Sequence, residues 1–185
     1  MTETKFVSRG GIKLQAAIDQ FGIDVKNIIV LDVGSSTGGF VDCLLQNGAA
    51  KVYALDTAYG ELAWQLRNDK RVVVMERTNI LYLENLPELV DLITIDTSWT
   101  KLELVLPMAK KFLKPEGIII ALLKPHYETE EKVLRRGIVP LEKIEQIKDK
   151  VIAKIESLGF SIEEVIESPI LGASGNKEFL LKVKP

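Results

Sequence analysis

Cysteine is almost missing from this sequence: Cys43 is the only one in 185 residues. A single thiol forms no disulfide within the chain and no thiolate zinc cluster, and a cytoplasmic address fits that usage. Histidine is as scarce. His126 stands alone, and one imidazole does not make a metal site. Long apolar runs are also lacking. The longest, Ile118 to Leu123, is strand-sized, far below the roughly 20 residues that cross a bilayer. The first residues are polar and carry no secretory or transit pattern; Met1 to Lys5 reads as a frayed start. Positive charge is not in excess either, with 24 Lys and Arg against 26 Asp and Glu, a net charge of −2. Nucleic-acid binders usually show a basic balance. Any RNA contact must therefore come from a local patch or from another chain. Repeats, linkers and low-complexity tracts are absent. What remains is 46% hydrophobic and 27% charged, the composition of a globular chain long enough for one domain over residues 1–185.

Within that chain the most informative stretch is Ile28 to Phe40, IIVLDVGSSTGGF. An apolar run meets an Asp, then a Gly-rich turn, then the opening of a helix. This is the strand–turn–helix that starts a nucleotide-binding α/β domain. Gly34, Gly38 and Gly39 carry no Cβ, which leaves room for a ligand beside the turn.

The elements around it alternate. A helix is predicted over Arg9–Phe21, ended by Gly22, and a first strand over Asn27–Asp32. A helix over Gly38–Asn47 stops at Gly48. Strand Lys51–Asp56, helix Tyr59–Arg67 and strand Arg71–Met75 follow. Strand Leu89–Asp96 leads to helix Leu102–Leu113 and strand Gly117–Lys124, which Pro125 ends. The segment His126–Pro140 has no clear period and reads as mobile. A long amphipathic helix spans Leu141–Leu158, with Ile144, Ile147, Val151 and Ile155 on one face. Strands Phe160–Ser168 and Lys177–Lys184 close the chain around a turn at Gly172–Asn176. Alternating strands and helices predict a mostly parallel seven-stranded sheet with helices on both faces. The final pair has no helix between its strands, which predicts a C-terminal antiparallel hairpin. The fold class is α/β, a Rossmann-like sheet of the class I methyltransferase type.

Ligands of such sheets bind at the carboxyl ends of the strands, where Asp32, Gly34, Asp56, Asp96 and Lys124 fall. The dinucleotide fingerprint is G-x-G-x-x-G. Here the spacing is G-x-x-x-G-G, without the Gly that lets a pyrophosphate approach. Asp32 precedes the first Gly by two residues. A carboxylate there repels a pyrophosphate and suits the cationic amino-acid end of S-adenosylmethionine. Asp56, at the end of the next strand, suits two ribose hydroxyls; its plainer role is to cap the Tyr59 helix. Beyond the loop stand Lys13 on the first helix, Asp96 in IDTSW, Lys124 in LLKPHYE and Glu178 in GNKEFLL. Singly each has a dull explanation as a solvated or capping residue. An α/β sheet brings the strand ends and the first helix to one rim.

The segments SRGGIKL, DVGSSTGGF, YGELAW, ERTN, IDTSW, LLKP and GNKEFLL resemble those of the TlyA (hemolysin A-like) methyltransferases, part of the FtsJ-like group of ribose 2′-O RNA methyltransferases. The resemblance runs from Phe6 to Lys184. It implies a catalytic Lys-Asp-Lys-Glu tetrad at Lys13, Asp96, Lys124 and Glu178. It implies S-adenosylmethionine contacts at Gly34, Gly38, Phe40, Asp56 and Asn79, beside the Asp32 and Asp96 carboxylates. The implied substrate is a cytidine ribose of ribosomal RNA, with no membrane partner. Members of that family carry a small RNA-binding domain ahead of the SRGG segment. This sequence begins a few residues before Ser8, so the resemblance implies a chain without that domain. RNA-facing charge then falls to Lys5, Arg9, Lys101, Lys132, Arg135 and Arg136. Trp99 stands where the family more often has Phe. Three residues attract attention for poorer reasons: His126 in a loop, Cys43 as a small buried hydrophobe, and Trp64 as core or a wall of the cofactor cleft. Competing functions are methylation of another substrate, a catalytically silent RNA- or nucleotide-binding module, and a membrane-active hemolysin. The last conflicts with the shortness of every apolar run.

Overall fold

Strand residues here alternate between two cores, and that alternation builds the layers. In a computed structural model, which describes residues 5–172 and 174–185, the elements run α1 (Gly10–Gln20), β1 (Ile29–Val33), α2 (Gly39–Gln46), β2 (Lys51–Leu55), α3 (Trp64–Arg67), β3 (Val72–Met75), β4 (Val90–Ile95), α4 (Leu102–Ala109), β5 (Leu113–Leu123), α5 (Pro125–Glu128), α6 (Leu141–Ser157), β6 (Ser161–Glu167) and β7 (Phe179–Lys184). The strands form one sheet of order β3-β2-β1-β4-β5-β7-β6. The first five are parallel, and β7 is antiparallel to both β5 and β6. Val30, Val52, Leu92, Ile120 and Leu180 face α1 and α2, while Leu31, Tyr53, Ile93, Ile119 and Leu181 face α4 and α6. Period-two alternation on strands buried on both faces accounts for the near-continuous apolar runs. α6 buries Ile144, Ile147, Val151 and Ile155, the stripe that its sequence spacing predicts.

The parallel sheet, the closing hairpin and the helices on both faces follow the expected order. Four local readings differ. The helix expected from Tyr59 is a single turn at Trp64–Arg67. Gly60, in the left-handed region, donates its N–H to Glu76 at 2.9 Å. The Glu76 carboxylate also binds Arg67, so it draws backbone donors out of the helix that they would otherwise start. Trp64 is 78% exposed, neither core nor cleft wall. Leu62 and Leu66 are buried on either side of it, which turns residue 64 outward. The helix expected over Leu102–Leu113 ends at Ala109 and tightens into a 3-10 turn at Lys110–Phe112. β5 begins at Leu113, across a register shift opposite Val90 and Leu92 that accommodates Pro115. The segment read as mobile has local structure: α5, a 3-10 turn at Glu131–Val133, and a bridge between Arg135 and Ile138. The expected frayed start lies, apart from Lys5, outside the described residues, as does Ala173 within the Gly172–Asn176 turn. No helix among the described residues is long and apolar enough to cross a membrane.

Candidate active site

β1, β2, β4 and β5 end on one rim, and α1 and α2 meet it from one side. The glycines there let the chain approach itself. A Cβ on Gly34 would lie 2.5 Å from the Asp96 carbonyl oxygen, at φ +88°. One on Gly38, at φ +98°, would strike Leu66 and Leu62, and one on Gly39 would strike Ser8. Room for a ligand is thus only part of their role. They pull β1 against β4, and α2 against α1 and the Leu62–Leu66 segment.

Two clefts open above this turn and share Gly34, Ser36 and Asp96. One, of about 260 Å³, is walled by Leu55, Asp56, Asn79, Thr97 and Trp99 among others. The other, of about 110 Å³, is walled by Ser8, Gly10, Lys13, Gly39 and Phe40. Asp56 lies in the first. Its Oδ2 accepts the Ser36 N–H at 2.7 Å and its Oδ1 the Ala58 N–H at 2.8 Å. No helix starts at Tyr59 for it to cap. Each carboxylate oxygen keeps a lone pair for a further donor. Asn79 lines the same cleft, with Oδ1 held by the Leu81 N–H at 2.9 Å.

Asp32 and Gly38, expected at the cofactor, line neither cleft. Asp32 is fully buried, opposite Thr94 in the β1–β4 register, and its Oδ1 accepts the Thr94 hydroxyl at 2.5 Å. Burial pushes its carboxyl up to about 7 against the Thr94 hydrogen bond, with Asp96 and Asp56 adding to the rise.

The four residues singled out as a tetrad form two ion pairs. Lys13 Nζ meets Glu178 Oε2 at 2.5 Å, with both side chains buried. Lys124 Nζ meets Asp96 Oδ1 at 2.5 Å, as an ion pair without hydrogen-bond alignment. Lys13 and Asp96 share the smaller cleft, which joins the pairs at one place. His126 feels the charge of both lysines. Burial, then the positive charge of Lys124 and Lys13, holds its imidazole below the usual range, and its buried Nδ1 has no hydrogen-bond partner among the described residues. The Tyr127 ring packs 4.1 Å from His126 and 4.9 Å from Trp99. Trp99 is 85% exposed, at φ +66°. Cys43 is buried, its thiol pushed up to about 12 by that burial, as suits an inert core residue.

The six expected RNA-facing cations differ in what they already bind. Lys5 and Arg9 are exposed at the α1 end, where Arg9 donates to the Leu171 carbonyl. Lys132 pairs with Glu130 and holds its carboxyl below the usual range. Arg135 pairs with Glu142 at 3.5 Å, and Arg136 is exposed.

Sequence reasoning missed two side chains that hold this rim. Asn176 is buried, accepting the Val139 N–H at 2.9 Å and donating to the Gly137 carbonyl at 3.0 Å. Glu128 accepts the Leu102 N–H at 2.9 Å. Both sit inside quoted segments, GNKEFLL and LLKPHYE, but neither bond leaves a periodic mark.

A parallel sheet of order 3-2-1-4-5-7-6, with its last strand reversed and a glycine turn at its rim, defines the class I methyltransferase fold. Proteins of that fold with low identity share the architecture. An O-methyltransferase of Bacillus cereus superposes with a TM-score of 0.63 at 18% identity, over 97% of this chain and 82% of its own. The chain belongs to the FtsJ-like methyltransferase family, whose model matches residues 6–184. The Bacillus subtilis protein YqxC is 44% identical, over 96% of this chain and 65% of its own length. The 16S/23S rRNA (cytidine-2′-O)-methyltransferase TlyA of Mycobacterium tuberculosis is 41% identical, over 97% of this chain and 69% of its own. A hemolysin-like protein of Lactococcus lactis superposes with a TM-score of 0.93 at 40% identity, over 98% of this chain and 89% of its own. The chain thus spans about two thirds of the curated relatives just named.

Proposed function

We propose that this chain transfers the methyl group of S-adenosylmethionine to the 2′-hydroxyl of a ribose, a cytidine in ribosomal RNA. The observation that carries the reading is the pair of ion pairs, Lys13–Glu178 and Lys124–Asp96, set beside the glycine turn on one rim. The printed name of the Mycobacterium tuberculosis relative supplies the substrate class.

The cleft residues fit the cofactor. Asp56 offers two oriented carboxylate oxygens to a ribose diol, and the glycine turn admits a backbone contact beside it. When bound, S-adenosylmethionine supplies an electrophilic methyl carbon on a cationic sulfur. Residues of this chain do the rest. Lys124, at the end of β5, would take the hydroxyl proton as a neutral amine, after its ammonium has released a proton to solvent. Asp96 holds that amine in place. Glu178 does the same for Lys13, whose charge lies beside the developing alkoxide. Such positioning is where the rate arises, because in-line attack requires all three reacting centres to be held together. His126, kept neutral by its surroundings, adds no further positive charge near neutral pH.

Lys124→Ala is expected to cut methyl transfer to purified ribosomal subunits by about a hundredfold or more, while calorimetry still shows S-adenosylmethionine binding. Undiminished turnover would sink the assignment. Binding without transfer by the unmodified chain would favour the silent module instead.

A further inference from the structure

We infer that Glu128 is a positioning residue, which holds the Lys124–Asp96 pair in register by tying the turn after β5 to the start of α4. The inference rests on the reading of Lys124 and Asp96 given above. These two residues lie one step beyond adjacent strands. Inside the sheet, the β4–β5 ladder fixes their neighbours, with Ile95 opposite Ala121. Past the strand ends that ladder stops. Residues 96–101 swing away toward α4, with Trp99 in the left-handed region. Residues 124–128 swing into α5.

Three contacts bridge the two departing segments. One is the ion pair itself. One is the Trp99–Tyr127 ring contact, whose Trp is almost wholly in solvent. The third is the Glu128 Oε1 bond to the Leu102 N–H at 2.9 Å.

The first N–H groups of an α-helix have no partner within the helix, and a Ser, Thr, Asp or Asn just before it normally supplies one. Here that position is Lys101, whose side chain makes no cap. The cap arrives instead from Glu128, 26 residues along the chain. A carboxylate also suits the positive end of the helix dipole. Its placement is not that of a solvated surface acid: burial raises its carboxyl above the ordinary range, with Glu103 adding to the rise and the Leu102 N–H and Lys101 opposing it. The consequence is mechanical. α4 and the turn bearing Lys124 cannot shift independently, so the Asp96 loop and the Lys124 amine keep one relative position. Proton transfer to a lysine on a long flexible stem is sensitive to such slack, and a displacement of about 1 Å can cost about a hundredfold in rate.

The test uses the full chain with Glu128→Ala, Glu128→Gln, Glu128→Asp and, as reference, Lys124→Ala. Steady-state methyl transfer to ribosomal subunits gives kcat, KM and the pH–rate profile; calorimetry gives S-adenosylmethionine affinity; thermal melting reports folding. Glu128→Ala is expected to lose about ten- to a hundredfold in kcat, with cofactor affinity within about twofold of the parent and a displaced limb in the pH–rate profile. Glu128→Gln, which keeps an oxygen for the Leu102 N–H, is expected to recover most of that loss. Should Glu128→Ala fail to fold, Glu128→Asp, a methylene too short to reach the cap, is expected to fold and to lose kcat. A variant that lacks the cap yet keeps parental kcat and pH profile, with only a lower melting point, overturns the inference. So does Glu128→Gln as impaired as Glu128→Ala. Full turnover in Lys124→Ala would instead overturn the proposed function, which separates the two failures.

Discussion

Asp32 shows what one residue can ask of a fold. Its carboxyl sits between sheet and helices with Oδ2 unpartnered among the described residues. Burial lifts its pKa from 3.8 to about 7. The folded chain therefore holds a proton over that interval where the unfolded chain has released it. The stability so linked is present below about pH 4, falls as pH rises toward 7, and is gone above it. Asp32→Asn imitates the protonated form and keeps an oxygen for Thr94. It is expected to gain stability at pH 8 relative to pH 5 by a few kcal/mol, since each pKa unit is worth about 1.4 kcal/mol. Urea titrations at the two pH values measure the difference, and an identical increment at both would refute the raised pKa. The position of Asp32 two residues before Gly34 was readable from the sequence. Its depth was not, because a strand end can point an acid into a cleft or beneath it. The grouping of Lys13, Asp96, Lys124 and Glu178 was readable because strand ends and α1 share a rim whatever the side-chain detail. Trp64 misled because size alone suggested burial, whereas its buried neighbours Leu62 and Leu66 decided its direction.

At the scale of elements, what the rim needs is segments pinned to one another. Asn176 joins the turn before β7 to residues 137–139 across 37 and 39 positions of chain. Asn176→Ala strands a buried N–H and a carbonyl, and is expected to cost about 1–3 kcal/mol. Urea unfolding gives that value, and hydrogen exchange at Val139 reports the local loosening; no change at Val139 would show that Asn176 pins nothing. The segment His126–Pro140 looked formless because its order comes from such distant partners and not from a period of its own. Strand direction, by contrast, was legible in outline. Strands separated by helices run parallel here, and the last two, joined without a helix, turn back; β3 and β4 depart from that rule, running parallel with only a 3-10 turn at Ile80–Tyr82 between them. The boundaries that moved, at Tyr59 and Leu113, moved where a carboxylate or a register shift took over backbone bonds that local propensity would have spent on a helix.

At the scale of the whole molecule, a net charge of −2 limits how the proposed RNA substrate would be held. Lys132 and Arg135 already face Glu130 and Glu142. That leaves Lys5, Arg9, Lys101 and Arg136 of the candidate cations for phosphate contact. Each such contact contributes about −0.9 to the slope of log affinity against log salt for duplex, less for single strands. Filter binding to ribosomal RNA between 50 and 200 mM salt, a range set by that dependence, is expected to give a slope no steeper than about −4; a steeper one would reveal a basic surface that these residues do not form. The place of β7 in the sheet has a different kind of consequence. It lies between β5 and β6, yet of the seven strands it is the last to be synthesised. Until it threads in, β5 and β6 each present an open edge, and Lys13 waits for a carboxylate 165 residues downstream. A nascent chain can thus have six strands outside the exit tunnel and still lack half of its lysine–carboxylate rim. The second ion pair of that rim forms only with the arrival of Glu178 and the strand behind it.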